Sequence, residues 1–390
     1  MDFSLSDEHE MIYGYGAKLA SKFDSKYFLE NARAHRFPKE LWKQLGEDGF
    51  LGTIVKEEHG GSGLGMLEFL LLVEGLANHG LPLWMMVPGP AMVMHIISKL
   101  GNERQRALLP AACAGELNFC AMITESNAGT NTMRIATAAR ANGNNGWLIQ
   151  GSKTFITGVD VSSYAMVVTR TTPIDRVARK TDGFTIFLVD LKKKGVTFHP
   201  LDISVVVPEQ QFSVFFDDVE VGPADVIGEV DRGADVLFNQ LDTERIACAG
   251  ITAGLGRYAI GRGASYASER VVFNSPVGSH QAVQHPLAAA KVQVEMASLL
   301  ARQAAWAYDQ GVDLRRVGQL SNMAKYACAE ASVQAVEAAL MAHGGNGFTY
   351  EYGIYDYYSV ARAFRTIPIN RDAILSFVGQ HVLGMPRSTH

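Results

Sequence analysis

Apolar residues recur with a helical period at both ends of the chain and with a period near two in the middle. Met11, Tyr15, Leu19 and Phe23 fall at helical spacing. Leu41, Trp42 and Leu45 mark a second helix beginning near Pro38, whose fixed φ suits a first turn. Met66–His79 and Ala91–Leu100 follow, and Asn102 is placed to cap a helix over Glu103–Leu109. Between them, Glu57–Gly63 reads as a loop. Its Gly61-x-Gly63-x-Gly65 spacing follows no strand, which sets aside a dinucleotide-binding turn. From 119 to 225 the candidate strands are Trp147–Gln150, Tyr164–Thr169, Phe184–Val189 and Phe212–Phe216. No helical segments separate them, so an antiparallel β-domain fits better than βαβ units. From 226 long helices return: Ala234–Phe273, Gln281–Gly311 with Pro286 near its start, Arg316–Ala342 stopped by Gly344-Gly345, and Asp372–Val382. Short connections between long helices predict an up-and-down bundle. The expected fold is α+β and mostly α: a helical domain over 1–118, a β-domain over 119–225 and a four-helix bundle over 226–390.

Composition narrows the function classes. The chain has 390 residues, 47% hydrophobic and 19% charged, enough for two or three domains around a large core. A net charge of −5 offers no broad basic surface for nucleic acid. Cys113, Cys120, Cys248 and Cys328 lack metal-type spacing and fit a reducing compartment. His59, His280, His285 and His343 show no paired ligand spacing, so no metal is expected. The acidic start, Met1 to Glu8, is not a signal peptide. Glu68 and Glu74 interrupt the one long apolar run, Met66–Ala77, so no membrane span is expected and a cytoplasmic location is.

The candidate chemistry begins with Ile123-Thr124-Glu125-Ser126-Asn127-Ala128-Gly129-Thr130-Asn131 and Lys153-Thr154-Phe155-Ile156-Thr157-Gly158. The first offers hydroxyls and backbone N–H groups to an electron-rich ligand. The second sets an aromatic ring beside a hydroxyl, which suits a flat heteroaromatic ligand. Taken singly, the threonines also read as turn hydroxyls and Phe155 as a core strand residue. The pair resembles the flavin site of the acyl-CoA dehydrogenase family, and the order helical, β, helical bundle is similar to that family over essentially the whole chain.

The resemblance implies FAD, with Thr124, Thr130, Phe155 and Thr157 at the flavin and Thr130 also near the substrate. Phe155 stands where the family usually has tryptophan. Arg270, Phe273 and Gln281 resemble residues that reach the adenine and pyrophosphate of a neighbouring subunit's flavin, which implies a homotetramer or homodimer. Gly344 and Gly345 would let backbone approach the same diphosphate, while Met341 replaces a common glutamine. The segment Leu241-Asp242-Thr243-Glu244-Arg245 resembles the branched-chain and long-chain members, in which the catalytic base projects from this helix. That implies Glu244 as base, with Arg245 beside it on the substrate. Most members instead carry the base near the C-terminus. Matched without gaps from Gly344-Gly345-Asn346-Gly347-Phe348, that position falls on Pro368, followed by Ile369 and Asn370; the nearest acid is Asp372. In the family a flavin ribityl hydroxyl and a backbone N–H at this position polarise the substrate carbonyl; proline removes that N–H, which leaves either Ile369 as the donor or the ribityl hydroxyl with another group. The implied reaction is α,β-dehydrogenation of an acyl-CoA thioester to a 2-enoyl-CoA, with electrons passed to an electron-transfer flavoprotein. The Asp2-Phe3 start is similar to enoyl-CoA reductases of the crotonobetainyl-CoA type. A flavin monooxygenase and a non-catalytic member of the same fold are the further alternatives. Tyr350, Tyr352, Tyr355, Tyr357 and Tyr358 form an aromatic cluster suited to an acyl pocket or a subunit interface.

Overall fold

Helices open the chain because polar caps precede amphipathic stretches. In a computed structural model, which describes residues 4–387 without the side chains of Asn239 and Gln240, α1 (Asp7–Ala20) starts where the Ser6 hydroxyl accepts from His9 N–H. The Asp2-Phe3 start lies outside these residues. Helix α1 buries Tyr15 and Leu19, and Phe23 is buried just beyond it, as the spacing predicts; only the first position differs, where Ile12 is buried and Met11 is 70% exposed. Helices α2 (Ser25–Arg33), α3 (Lys39–Glu47) and α4 (Met66–Asn78) follow. Glu74, which argued against a membrane span, is fully buried in α4 and bonded by Arg257 Nε and Ser298 Oγ at 2.9 and 2.8 Å. No helix among the described residues is long and apolar enough to cross a membrane.

The segment expected as Ala91–Leu100 is a π-helical stretch, Val87–Met94, running into α5 (His95–Leu100). Pro90 lies inside it and removes a donor from the α-helical ladder. Asn102 caps α6 (Glu103–Arg106) as expected, but that helix is short and α7 (Leu109–Cys113) restarts after it.

The middle of the chain forms one eight-stranded sheet. Its strands are β1 (Phe119–Met122), β2 (Ala138–Ala141), β3 (Trp147–Thr157), β4 (Tyr164–Arg170), β5 (Phe184–Asp190), β6 (Val196–Leu201), β7 (Gln211–Val221) and β8 (Val226–Ile227). The order is β6-β7-β3-β2-β4-β5-β8, with β1 also on β4. Most pairs are antiparallel, but β1 and β2 both run parallel to β4. Strand β8 lies just past the boundary drawn at 225 and pairs with β5.

The third region opens with α8 (Gly233–Glu269), 37 residues long. A hairpin of β9 (Val271–Val272) and β10 (Ser275–Pro276) follows. Phe273 and Asn274 turn it with φ of 51° and 65°, the geometry of a two-residue hairpin loop. Helices α9 (Gln281–Asp309) and α10 (Leu314–His343) complete the long elements. The tyrosine-rich segment forms α11 (Ile354–Ala363), and α12 (Arg371–Phe377) runs into a π-helical turn over Val378–Val382. One apolar core joins the helical regions, and a second fills one face of the sheet.

Candidate functional site

The two sequence segments singled out above are stitched together. Thr154 N–H donates to the Thr124 carbonyl at 3.0 Å. Beneath them Lys153, 1% exposed, donates to the Ile123 carbonyl at 3.0 Å and to Glu125 Oε1 at 2.9 Å. Glu125 also accepts from the N–H groups of Ala136 and Thr137, at 2.7 and 3.0 Å. Burial pulls the Glu125 carboxyl up, but the Lys153 charge and these donors hold it below the usual carboxylate range. In the sequence Glu125 and Lys153 stand inside the two motifs with no evident role; the signal for their pairing is two opposite charges in segments about 30 residues apart.

Phe155 sits at φ 56° where the β3–β7 register slips between Lys153 and Ile156, and its ring is 63% exposed. A non-glycine residue held left-handed inside a strand is strained, and such strain collects at ligand sites. The reading of Phe155 as strand core is therefore wrong. Thr157 stays half-buried, with its hydroxyl against the Gln211 amide at 2.9 Å. The backbone N–H groups of Thr124 and Thr130 donate to no described residue.

The edge of the loop touches the C-terminal segment. Asn370 Nδ2 donates to Thr130 Oγ1 at 2.9 Å, and Asn370 Oδ1 caps α12 by accepting from Ala373 N–H at 2.7 Å. One residue earlier, the Ile369 carbonyl accepts from Lys325 Nζ at 2.6 Å. Lys325 is 1% exposed on α10, and burial pushes its ammonium down to about 8.

Lys325 acts electrostatically on Glu244 of α8. The turn that carries Glu244 is fixed on both sides. Thr243 donates to the Ala91 carbonyl at 2.7 Å, and Asp242 accepts from Ser321 Oγ at 2.6 Å and pairs with Arg245 at 3.0 Å. Glu244 itself keeps some accessible surface and makes no hydrogen bond or ion pair with a described residue. Burial pushes its carboxyl up to about 7, against the opposing charges of Arg245 and Lys325. Arg245 Nε, Asn322 Oδ1 and Trp84 Nε1 are buried without partners among the described residues. Asp372 is exposed in the first turn of α12, where a carboxylate favours the helix N-terminus.

The remaining candidates lie elsewhere. At about 1.5 Å per residue, the stretch from Glu244 to Arg270, the residue just past the end of α8, spans about 39 Å. Arg270 and Gln281 are exposed there, and Phe273 at the hairpin tip is 89% exposed. Gly344, at φ 56°, and exposed Gly345 share that end: Asn346 Nδ2 donates to Tyr266 OH at 2.9 Å, and Tyr266 stacks on His343. A Cβ on either glycine would meet nothing within 4 Å. Met341 is exposed beside them. The tyrosine cluster divides: Tyr357 is core, donating to the Gly80 carbonyl at 2.9 Å, Tyr352 packs on Tyr266, and Tyr350 and Tyr355 are exposed. Only Tyr352 is thereby tied to the hairpin end of α8; Tyr357 packs on Phe28 and Tyr258, and Tyr358 stacks on Tyr355.

The chain is similar to known proteins over nearly its full length. The N-terminal, middle and C-terminal acyl-CoA dehydrogenase domain families match residues 6–116, 120–219 and 231–370. FadE12 of Mycobacterium tuberculosis (strain ATCC 25618 / H37Rv), an acyl-CoA dehydrogenase by name, is 40% identical over 99% of this chain and 98% of its own. A 3-(aryl)acrylate reductase of Clostridium sporogenes is 29% identical over 92% of this chain and 93% of its own. The solved structure of a glutaryl-coenzyme A dehydrogenase with glutaryl-CoA superposes with a TM-score of 0.91 at 26% identity, covering 100% of this chain and 98% of that one. Three matching domains in the right order, together with a full-length relative at this identity, show that the chain belongs to the acyl-CoA dehydrogenase family, whose members are oxidoreductases acting on CH–CH bonds.

Proposed function

We propose that this protein is an FAD-dependent acyl-CoA dehydrogenase in which Glu244 is the base. The observation that carries the reading is the Glu244 carboxyl: without a partner among the described residues, pushed up to about 7, and linked through Lys325, Ile369 and Asn370 to the Thr130 loop. A carboxyl at that value is half ionised near neutrality, where general-base catalysis works best.

The residues present fit a flavin. Phe155 offers an exposed ring face, Thr157 a hydroxyl for a ring edge, and Thr124 and Thr130 free N–H donors. When bound, FAD supplies the acceptor for the two electrons leaving the β-carbon as hydride. The rest falls to the chain. Glu244 takes the proton from the carbon next to the thioester carbonyl. Arg245 and Ile369 lie on the substrate side, and Pro368 shapes the segment that carries Ile369. Reduced enzyme passes its electrons to an electron-transfer flavoprotein. The four cysteines are free and buried, which fits a cytoplasmic site of action.

Arg270, Phe273 and Gln281 complete a neighbour's FAD site, because about 39 Å of helix separates them from Glu244 of their own chain. Gly344 and Gly345 approach the same diphosphate. The expected assembly is a tetramer built as a dimer of dimers. Phe273→Asp is expected to split the dimer and release flavin, measured by light scattering and flavin absorbance. A monomer that keeps its FAD at low concentration contradicts this arrangement.

The purified protein is expected to be yellow with about one non-covalent FAD per chain. FMN, or no flavin after reconstitution with FAD, contradicts the reading. The kinship with a 3-(aryl)acrylate reductase favours one second reading, reduction of a 2-enoyl thioester. The same groups serve it, with Glu244 donating the proton. Anaerobic bleaching by a panel of acyl-CoA thioesters, set against reoxidation of reduced enzyme by the matching enoyl-CoA thioesters, separates the two and identifies the acyl group.

A further inference from the structure

Proline at 368 leaves an open question of chemistry: what polarises the thioester carbonyl as the α-proton leaves. The residues after it are held unusually firmly. Lys325 Nζ, almost wholly buried, grips the Ile369 carbonyl at 2.6 Å. Asn370 is fixed twice, by Thr130 at 2.9 Å and by the first turn of α12 at 2.7 Å. Arg371 N–H closes back on the Arg365 carbonyl at 2.9 Å, and Arg365 is tied to Glu330 at 2.7 Å. Within this clamp the Ile369 N–H donates to no described residue, and Ile369 stays partly accessible.

A buried lysine spent on one backbone carbonyl is a costly way to hold a loop, since a neutral donor would satisfy that carbonyl without a buried charge. The charge has a second use. Lys325 lies within electrostatic reach of Glu244, Arg245 and Cys248 of α8 and of Glu330 of its own helix. Of these, Glu244 has no partner among the described residues, and Cys248 is a buried thiol whose proton burial retains.

We propose that Lys325 is a positioning residue for the reaction: by gripping the Ile369 carbonyl it presents the Ile369 N–H to the thioester carbonyl, and its charge favours the ionised form of Glu244. The donor lost at Pro368 is thereby replaced one residue later. Donor and base are set by one ammonium, so enolate charge on the substrate oxygen and negative charge on Glu244 answer to the same group. This inference rests on the proposed dehydrogenation with Glu244 as base.

The test compares holoenzymes carrying Lys325→Met and Lys325→Arg with wild type and Glu244→Gln. For Lys325→Met, kcat/KM for a good acyl-CoA is expected to fall about 10- to 100-fold, the range of a lost hydrogen bond to a charged group. Its acid limb moves to higher pH, because Glu244 loses a favourable cation. Lys325→Arg, which keeps the charge, restores the acid limb. Bound enoyl-CoA is expected to show a thioester carbonyl stretch lowered on binding to wild type and less lowered on binding to Lys325→Met. An unmoved acid limb together with an unmoved carbonyl stretch overturns the proposal and leaves Lys325 a purely structural residue, even if turnover falls. If Lys325→Met does not fold, Lys325→Arg decides alone: charge without the original reach keeps the acid limb but weakens the carbonyl shift, and a variant unlike wild type in neither overturns the gripping role. Normal bleaching by Glu244→Gln contradicts the functional reading itself. Loss in Glu244→Gln with both Lys325 variants at wild-type level contradicts only the role of Lys325.

Discussion

Glu244→Gln is expected to keep the fold, the yellow colour and acyl-CoA binding while slowing anaerobic flavin bleaching by about 10²–10⁴-fold, the usual weight of a general-base step. Amide and carboxylate are nearly the same size, and the Glu244 carboxyl has no partner to lose among the described residues. The wild-type pH profile follows from the same side chain. Only the ionised form removes a proton, so kcat/KM is expected to fall on the acid side below about 7, the value to which burial has pushed the group. Stability runs the other way. A carboxyl raised in the folded state binds more protons folded than unfolded, so its contribution to stability is full at low pH and is lost as pH rises toward about 7. Glutamine carries no such dependence, so the variant is expected to melt no lower than wild type at pH 8, a stability–activity trade at one position. Asp372→Asn is the control. It is expected to change bleaching little, since Asp372 is exposed and serves the first turn of α12. Bleaching at the wild-type rate by the glutamine variant, with loss in the Asp372 variant, would show that the wrong carboxylate was chosen. No effect from either moves the monooxygenase and non-catalytic readings ahead.

The long helices were legible because long periodic stretches bounded by glycine, with no proline or with one only near the start, leave few alternatives; α8, α9 and α10 lie close to their expected bounds. Strands β1, β2, β6 and β8 were not, because they are short and their alternation is weak: β6 is largely exposed, and β8 has only two residues. The parallel pairing of β1 and β2 with β4 is a tertiary choice that no local pattern records. At the site, the residues that differ from solvent-facing types in chemistry alone, Glu244, Phe155 and the threonines, were found by motif. Those whose meaning lies in a distant partner were not. Lys325 looks like an ordinary helical lysine until Ile369, 44 positions on, is placed against it. Asn370 reads as a helix cap and is one, but its other amide atom reaches Thr130, 240 positions earlier. Phe155 was visible as an aromatic in a strand, while the bulge that turns its ring outward was not.

The largest stability effect is expected from Lys153→Met. The lysine is 1% exposed, and its methylene stem suits a methionine, so the substitution creates little cavity. What it creates is an unpaired charge. Glu125, 8% exposed, would keep its two N–H donors and lose its cation. Breaking one side of a buried pair costs about 3–5 kcal/mol. A clear drop in the thermal midpoint is the expected result. The double variant Lys153→Met with Glu125→Gln removes the stranded charge and is expected to recover much of that loss, because residues in direct contact are not additive. Flavin content reads a different contact. Lys153 also holds the Ile123 carbonyl at 3.0 Å, next to the Thr124 N–H, and neither variant restores that bond. Stability that recovers in the double variant while FAD occupancy does not would assign the ion pair to folding and the Ile123 contact to the flavin loop. A Lys153→Met protein that melts with wild type and keeps its full complement of FAD would show that this pair holds neither.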